Sequence, residues 1–246
     1  MVARDGTTQA QEDSKSGLAW DRVHRAEVQI ATHDQIDVRH FVVTERMSSL
    51  FEVRIRAVSD NPDIDFEAVI GKPMTFVAQG AETRTWVGVC SHLRQVRVEE
   101  HHLSTYELTL VPTLWLTTQR RNHRMFQRLT ELEIVQKILG EWGITPTLRL
   151  AGQYKKRKYR LQYGESDYTF LCRMLEDAGV SFYFDNLGES QLVLDDGPQG
   201  NAARTPIAFR DRPTEADREH VTEVHVDLGD VAKTAGAPGC LAPRRR

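Results

Sequence analysis

Residues 159–184 read YRLQYGESDYTFLCRMLEDAGVSFYF. Four carboxylates, Glu165, Asp167, Glu176 and Asp177, stand here with Ser166 and Cys172. Such a set fits either a catalytic site or the two ends of one short helix between two strands. The apolar residues favour the helix. Phe170, Leu171, Met174, Leu175 and Ala178 fall on one stripe at helical spacing. Ser166 is a good N-cap, and Asp167 lies in the first turn, where a negative charge meets the positive helix end. Gly179 ends the helix by taking the left-handed conformation, and the aromatic run to Phe184 reads as a strand. The two groups of acids are then roughly 15 Å apart along the helix axis, too far to share one bond-breaking step. Most of the charge is read as helix-end chemistry and a solvated face.

The same grammar appears upstream. Thr130-Glu131-Leu132-Glu133 has the form of a capping box. Leu132, Val135, Ile138 and Leu139 follow helical spacing, and Trp142-Gly143 ends the run. ILGEWGITPTL and MLEDAGVSFYF share a short echo: Leu, a few polar or small residues, Gly, then a β-branched strand start. Before Pro112 the periodicity is two. Phe51, Val53, Ile55 and Ala57 alternate with Glu52, Arg54 and Arg56, and Met74, Phe76 and Ala78 resume the pattern after the Gly71-Lys72-Pro73 turn. TRTWVGVC, RQVRVEE and STYELTLV read as further short strands, giving a barrel or sandwich. The expected organisation is a flexible arm over 1–17, a first β domain over 18–118, helices with a partial second β domain over 119–228, and an irregular tail over 229–246. The fold class is α+β and β-rich: two barrel-like β domains with short packed helices, the second incomplete.

The 246 residues suffice for a sizeable core. A net charge of −3 argues against a surface built to hold nucleic acid. No apolar run approaches the roughly 20 residues that span a bilayer, and the polar start MVARDGTTQAQEDSKSG lacks the apolar centre of a secretory leader. Synthesis in the cytosol without a membrane anchor is expected. Cys90, Cys172 and Cys240 are odd in number and far apart, so no disulfide framework is expected.

Candidate chemistry is sparse. Cys90 and His92 would share one side of a strand, near His101-His102, but no zinc-ligand spacing is present. Gly164-Glu165-Ser166 is not a nucleophile elbow, because Gln162 and Tyr168 occupy its glycine positions. Two basic clusters are interleaved with aromatics: Arg120, Arg121, Arg124 and Arg128 with His123 and Phe126, and Lys155, Lys156, Arg157, Lys158 and Arg160 with Tyr154 and Tyr159. That composition suits single-stranded nucleic acid; the alternatives are solvated charge or an acidic protein partner.

The segments LVPTLWLTTQRRNHRMFQRLTELEIVQKILGEWGI (110–144), 159–184 and QLVLDDGP (191–198) together resemble the N-terminal region of VgrG proteins, the spike of type VI secretion systems, and the related hubs of contractile phage tails. The resemblance runs from about residue 20 to 228. It is carried by Leu114-Trp115-Leu116, Arg124 with Phe126-Gln127, Ile134-Val135, Gln162-Tyr163, Glu165-Ser166-Asp167, and Leu175-Glu176 with Gly179. The resemblance implies a structural role for these positions. It further implies a homotrimer whose six similar barrels match a hexameric tube-ring protein, effector or adaptor proteins as further partners, no catalytic residues, no metal and no cofactor. Intact relatives would leave the cell on the injection apparatus. Those relatives continue into an oligonucleotide/oligosaccharide-type β domain and a trimeric needle. This sequence stops before the second barrel would be complete, so the expectation is a frame shift or truncation near 229; the alternatives to a truncated spike hub are the hub of a phage or phage-derived contractile tail and a non-functional remnant of a spike gene.

Overall fold

In the strand β3 (Glu52–Ser59), Val53, Ile55 and Ala57 are buried while Arg54 and Arg56 face water, as an alternating sequence dictates. A computed structural model of the chain describes residues 26–80, 82–98, 103–188, 190–203, 206–209 and 220–221. The expected arm over 1–17, the tail over 229–246 and Cys240 lie outside the described residues. β3 joins β1 (Ala26–Gln29), β2 (Asp37–Thr44), β4 (Pro73–Gln79), β5 (Thr83–Val98) and β6 (Ser104–Val111) in one antiparallel sheet, in the order β1-β4-β5-β6-β3-β2. The sheet curls until its outer strands, β1 and β2, lie alongside each other. Phe51, Ile55, Phe76, Trp86, Tyr106 and Leu108 fill the interior. The short helix α1 (Phe66–Val69) is capped by Asp65, whose carboxylate accepts the amides of Glu67 and Ala68. Ile64 and Val69 anchor this segment to the same core.

As far as Val98, TRTWVGVC and RQVRVEE do not form separate strands; Glu99 and Glu100 lie outside the described residues. Thr83–Val98 is one continuous strand, β5, because Ser91, His92 and Leu93 include no Gly, Pro, Asn or Asp to turn the chain. Bulges at Cys90/His92 and Gln95/Arg97 bend it instead. The first bulge also reverses the expected placement of two side chains: Cys90 is fully buried and His92 is exposed. Gly88 allows β5 and β6 to approach closely, since a Cβ there would lie 1.9 Å from the Val111 carbonyl oxygen.

After Pro112 a 3-10 turn (Thr113–Thr118) inserts Leu114 into a second core. Then follow β7 (Arg121–Leu129), α2 (Glu131–Glu141), β8 (Thr147–Arg149), β9 (Arg157–Ser166), α3 (Asp167–Ala178), β10 (Ser181–Asp185) and β11 (Gln191–Asp195). β7 and β9 form an antiparallel ribbon, and β10-β11-β8 a three-stranded sheet. α2 and α3 pack on each other, burying Ile134, Val135, Ile138, Phe170, Met174 and Leu175. Two-residue strands β12 (Ala208–Phe209) and β13 (His220–Val221) pair beyond them. The chain is mostly β with a few short helices, as expected. The two cores meet at Phe184, which packs against both and sits edge-on to Phe51 with ring centroids 5.0 Å apart. Glu45 clips the junction, accepting hydrogen bonds from Arg84 at 2.7 Å, Trp86 Nε1 at 3.0 Å and Asn186 Nδ2 at 2.6 Å.

A candidate site built from two buried carboxylates

β7 with α2, and β9 with α3, are two copies of one strand–helix unit. Thr130 and Ser166 are the N-caps. Glu131 and Asp167, 36 positions apart, are the first helical residues. At the same offset Gly143 and Gly179 end the helices with φ of 68° and 69°, and Arg128 and Gly164 share a positive φ just before each cap. Met125 and Leu161, also equivalent, face each other at the centre of the ribbon. Thr147 and Tyr183, again equivalent, flank Val193 on its two sides. The unit therefore repeats about an approximate two-fold axis through the ribbon. The short sequence echo is the visible part of this repeat.

The repeat brings charge inside. Asp167 is fully buried and accepts five side-chain hydrogen bonds. Arg120 Nε lies at 2.7 Å and Trp142 Nε1 at 3.1 Å from Oδ2. Arg124 Nη2 lies at 2.8 Å, Gln162 Nε2 at 2.9 Å and Asn122 Nδ2 at 3.1 Å from Oδ1. Arg124 uses all three of its nitrogens: Nε donates to Gln162 Oε1 at 2.9 Å, and Nη1 to Glu141 at 2.8 Å. Arg120 also pairs with Glu141 and lies over the Trp142 ring, 4.7 Å from its centroid. At the equivalent place Glu131, 2% exposed, accepts from Arg157 Nε at 2.7 Å and Arg160 Nη2 at 2.5 Å. β9 thus supplies Arg157 and Arg160 to Glu131, while β7 and the residue just before it supply Arg124 and Arg120 to Asp167, so each arm holds the other unit's helix-start carboxylate. The exchange locks the ribbon to both helices.

Burial alone would push the Asp167 carboxyl up; the donors Gln162, Asn122, Trp142 and Arg120 outweigh it and hold the group below its ordinary range. Burial opposes ionisation of Glu131 in the same way, and Arg160, its own backbone amide and Arg157 overcome it. Both carboxylates are paired with arginines; Asp167 accepts on both of its oxygens, and Glu131 takes Arg157 and Arg160 on Oε1. Burial pushes the Cys90 thiol up to about 11, which keeps it protonated and unreactive. An open cleft of about 240 Å³ at the junction of the two cores is lined by Glu45, Arg84 and Phe184, and its carboxylate is already held by Arg84.

The residues that carried the resemblance have separate fates. Gln162 and Asp167 meet in the network. Phe126 and Leu175 are core residues, Phe126 stacking on Phe170 at 5.6 Å. Ser166 caps α3 through the Thr169 amide, and Gly179 ends it. Glu165 pairs with Arg173. Glu176 is exposed at the far end of α3, so Glu165, Asp167 and Glu176 do not converge. Trp115 is half-buried in the 3-10 turn, while Gln127 and Tyr163 face outward from the ribbon. The reading of solvated helix-end charge fails at Asp167, because its position on the inner face of the unit removes it from water. The basic clusters are likewise divided: Arg120, Arg124, Arg157 and Arg160 are internal partners. Arg120, Asn122, Glu131, Glu141 and Trp142 were not legible as a set. A usable signal was an arginine at core-facing parity in each strand, Arg124 beside Phe126 and Arg160 beside Gln162, since a cation there requires a buried anion.

A curled β sheet joined to a strand–helix pair locked by internal charge defines a structural scaffold of the tail-hub kind. The chain belongs to the phage tail baseplate hub (GPD) family, whose model matches residues 44–235. Among curated relatives, the type VI secretion system spike protein VgrG4b of Pseudomonas aeruginosa is 34% identical over 167 residues, covering 66% of this chain and 20% of the relative. VgrG1a of the same organism is 27% identical over 172 residues, covering 69% and 26%. The chain thus spans a fifth to about a quarter of these relatives. Among solved structures, the E. coli c3393 protein, described as a component of the type VI secretion system with structural similarity to T4 bacteriophage tail proteins gp27 and gp5, superposes with a TM-score of 0.66 at 27% identity. That match covers 74% of this chain and 52% of the other. A tail protein from Neisseria meningitidis MC58 shares the fold, with a TM-score of 0.52 at 14% identity over 79% of this chain and 56% of that one.

Proposed function

We propose that this chain is the hub-like base of a type VI secretion spike and acts by assembly, not by catalysis. The observation that carries the reading is the family match over 44–235 together with the reciprocal locking of Asp167 and Glu131, which spends the conspicuous acids and arginines on rigidity. In this reading three copies form a ring that seats on a hexameric tube-ring protein, and symmetry matching joins a three-fold spike to a six-fold tube. Effector or adaptor proteins are carried as cargo, and the assembly leaves the cell on the injection apparatus. The domain division at 118/119 and the structural role of Trp115, Phe126, Gln162, Asp167 and Gly179 belong to the same proposal. A hub of a phage or phage-derived contractile tail is the second reading, favoured by the fold shared with the Neisseria tail protein. Light scattering on the purified chain, alone and mixed with a hexameric ring protein, tests the first. A trimer that co-elutes with the ring is expected, and a protein that ignores the ring at every concentration overturns it.

A further inference from the structure

The ribbon of β7 and β9 has an inner face spent on the helices and an outer face covered by nothing among the described residues. Met125 and Leu161 are cross-strand partners at its centre, 59% and 46% exposed, flanked by Tyr159 and by Tyr163, which is 76% exposed. His123 packs edge-on against Tyr163 with ring centroids 4.9 Å apart. β7 and β9 pair only with each other among the described residues. Both ends of the ribbon are basic: Arg121 at one, Arg128, Lys155 and Lys158 at the other, all exposed and without an ion pair among the described residues. An apolar centre with a charged rim is the anatomy of a protein interface.

The complementary surface is on the other core of the same chain. Phe66 and Ile70 are each 41% exposed, one turn apart on α1 and its C-cap. Asp60, Asp63, Asp65 and Glu67 lie close to them in sequence, exposed and without an ion pair among the described residues. We infer that the ribbon's outer face receives a second copy of this chain, head to tail, with Phe66 and Ile70 set against Met125 and Leu161 and the α1 carboxylates against the ribbon's cations. The two surfaces differ, so the contact is heterologous and closes a ring only at a fixed rotation. The inference rests on the assembly reading above and names the surface that reading lacks.

The test is light scattering on three proteins at low and high salt. The unaltered chain self-associates, more weakly at high salt. A ribbon variant, Lys155→Glu with Lys158→Glu, and an α1 variant, Asp63→Lys with Glu67→Lys, each lose association at least about tenfold. Mixed together, the two variants associate again. All the altered side chains are exposed, and unchanged circular dichroism verifies folding; Leu161→Asp leaves the charged rim intact, places a carboxylate in the apolar centre and also loses association. A chain that stays monomeric, or one whose association ignores every reversal, overturns the inference. Ring binding that persists while the reversals have no effect leaves the assembly reading standing and removes only this contact. Reversals that act as expected in a chain that never binds the ring do the opposite.

Discussion

Around the first core, Glu107 bridges Arg56 at 2.6 Å and Arg94 at 2.5 Å across the outer face of the sheet, and both arginines are about 60% exposed. Around the second core, Asp167 and Glu131 are buried and each is held by two arginines. The ion pairs have similar lengths and opposite meanings. The curled sheet is specified by apolar alternation, and its surface pairs are nearly neutral for stability. The strand–helix pair is specified by charges that cannot return to water without partners, so loss of one arginine leaves an anion stranded.

The comparison breaks most easily at Arg124. Arg124→Ala removes a donor to Asp167, Gln162 and Glu141 together, and a loss of about 4 kcal/mol in urea-unfolding stability is expected. A double-mutant cycle with Asp167→Ala should return a coupling of about 1–3 kcal/mol; additive losses would show that the network is not one unit. Gly88→Ala tests the first core in its own terms, since its Cβ would strike the Val111 carbonyl. A cost of roughly 3 kcal/mol is expected without any change of charge.

Acid comes next. The folded carboxyls of Asp167 and Glu131 lie below their ordinary values of 3.8 and 4.5. A group lowered on folding contributes stability that is fully present above its unfolded value and is lost as pH falls through the folded value. Urea midpoints should therefore hold from neutrality down to about pH 5 and fall below about pH 4. Fluorescence of Trp142, which donates to Asp167, should change in that fall; an unchanged midpoint at pH 3 would contradict the lowered values.

The helix half of this architecture was legible in sequence because caps are local. Thr130, Ser166 and Gly179 act within four residues of themselves, and the structure places each as read. Alternation likewise gave β3, β4 and β6, whose one wet face writes itself into every second residue. The exchange between Asp167 and Arg124 was hidden because its partners are 43 positions apart and meet only when β7 pairs with β9. The bulge at Cys90/His92 was hidden too, because it is set by the partner strand β6 and not by any turn residue in β5.

The smallest effects sharpen the contrast. Ser166→Ala removes the acceptor for the Thr169 amide at 3.1 Å and should cost about 1 kcal/mol, with the same expected for Thr130→Ala in the equivalent unit. Equal losses would mean that the two units share their helix-start physics as well as their geometry; a much larger loss at Ser166 would mean that its cap also holds Asp167 in register. Glu107→Gln should leave the urea midpoint unchanged, although its carboxyl lies below its ordinary range because Arg56 and Arg94 donate to it. The two arginines keep water on their outer sides, so a lost partner is replaced by solvent at once. A midpoint that moved as far for Glu107→Gln as for Arg124→Ala would erase the distinction between the two cores, because it would show that burial is not what makes the second network costly to break.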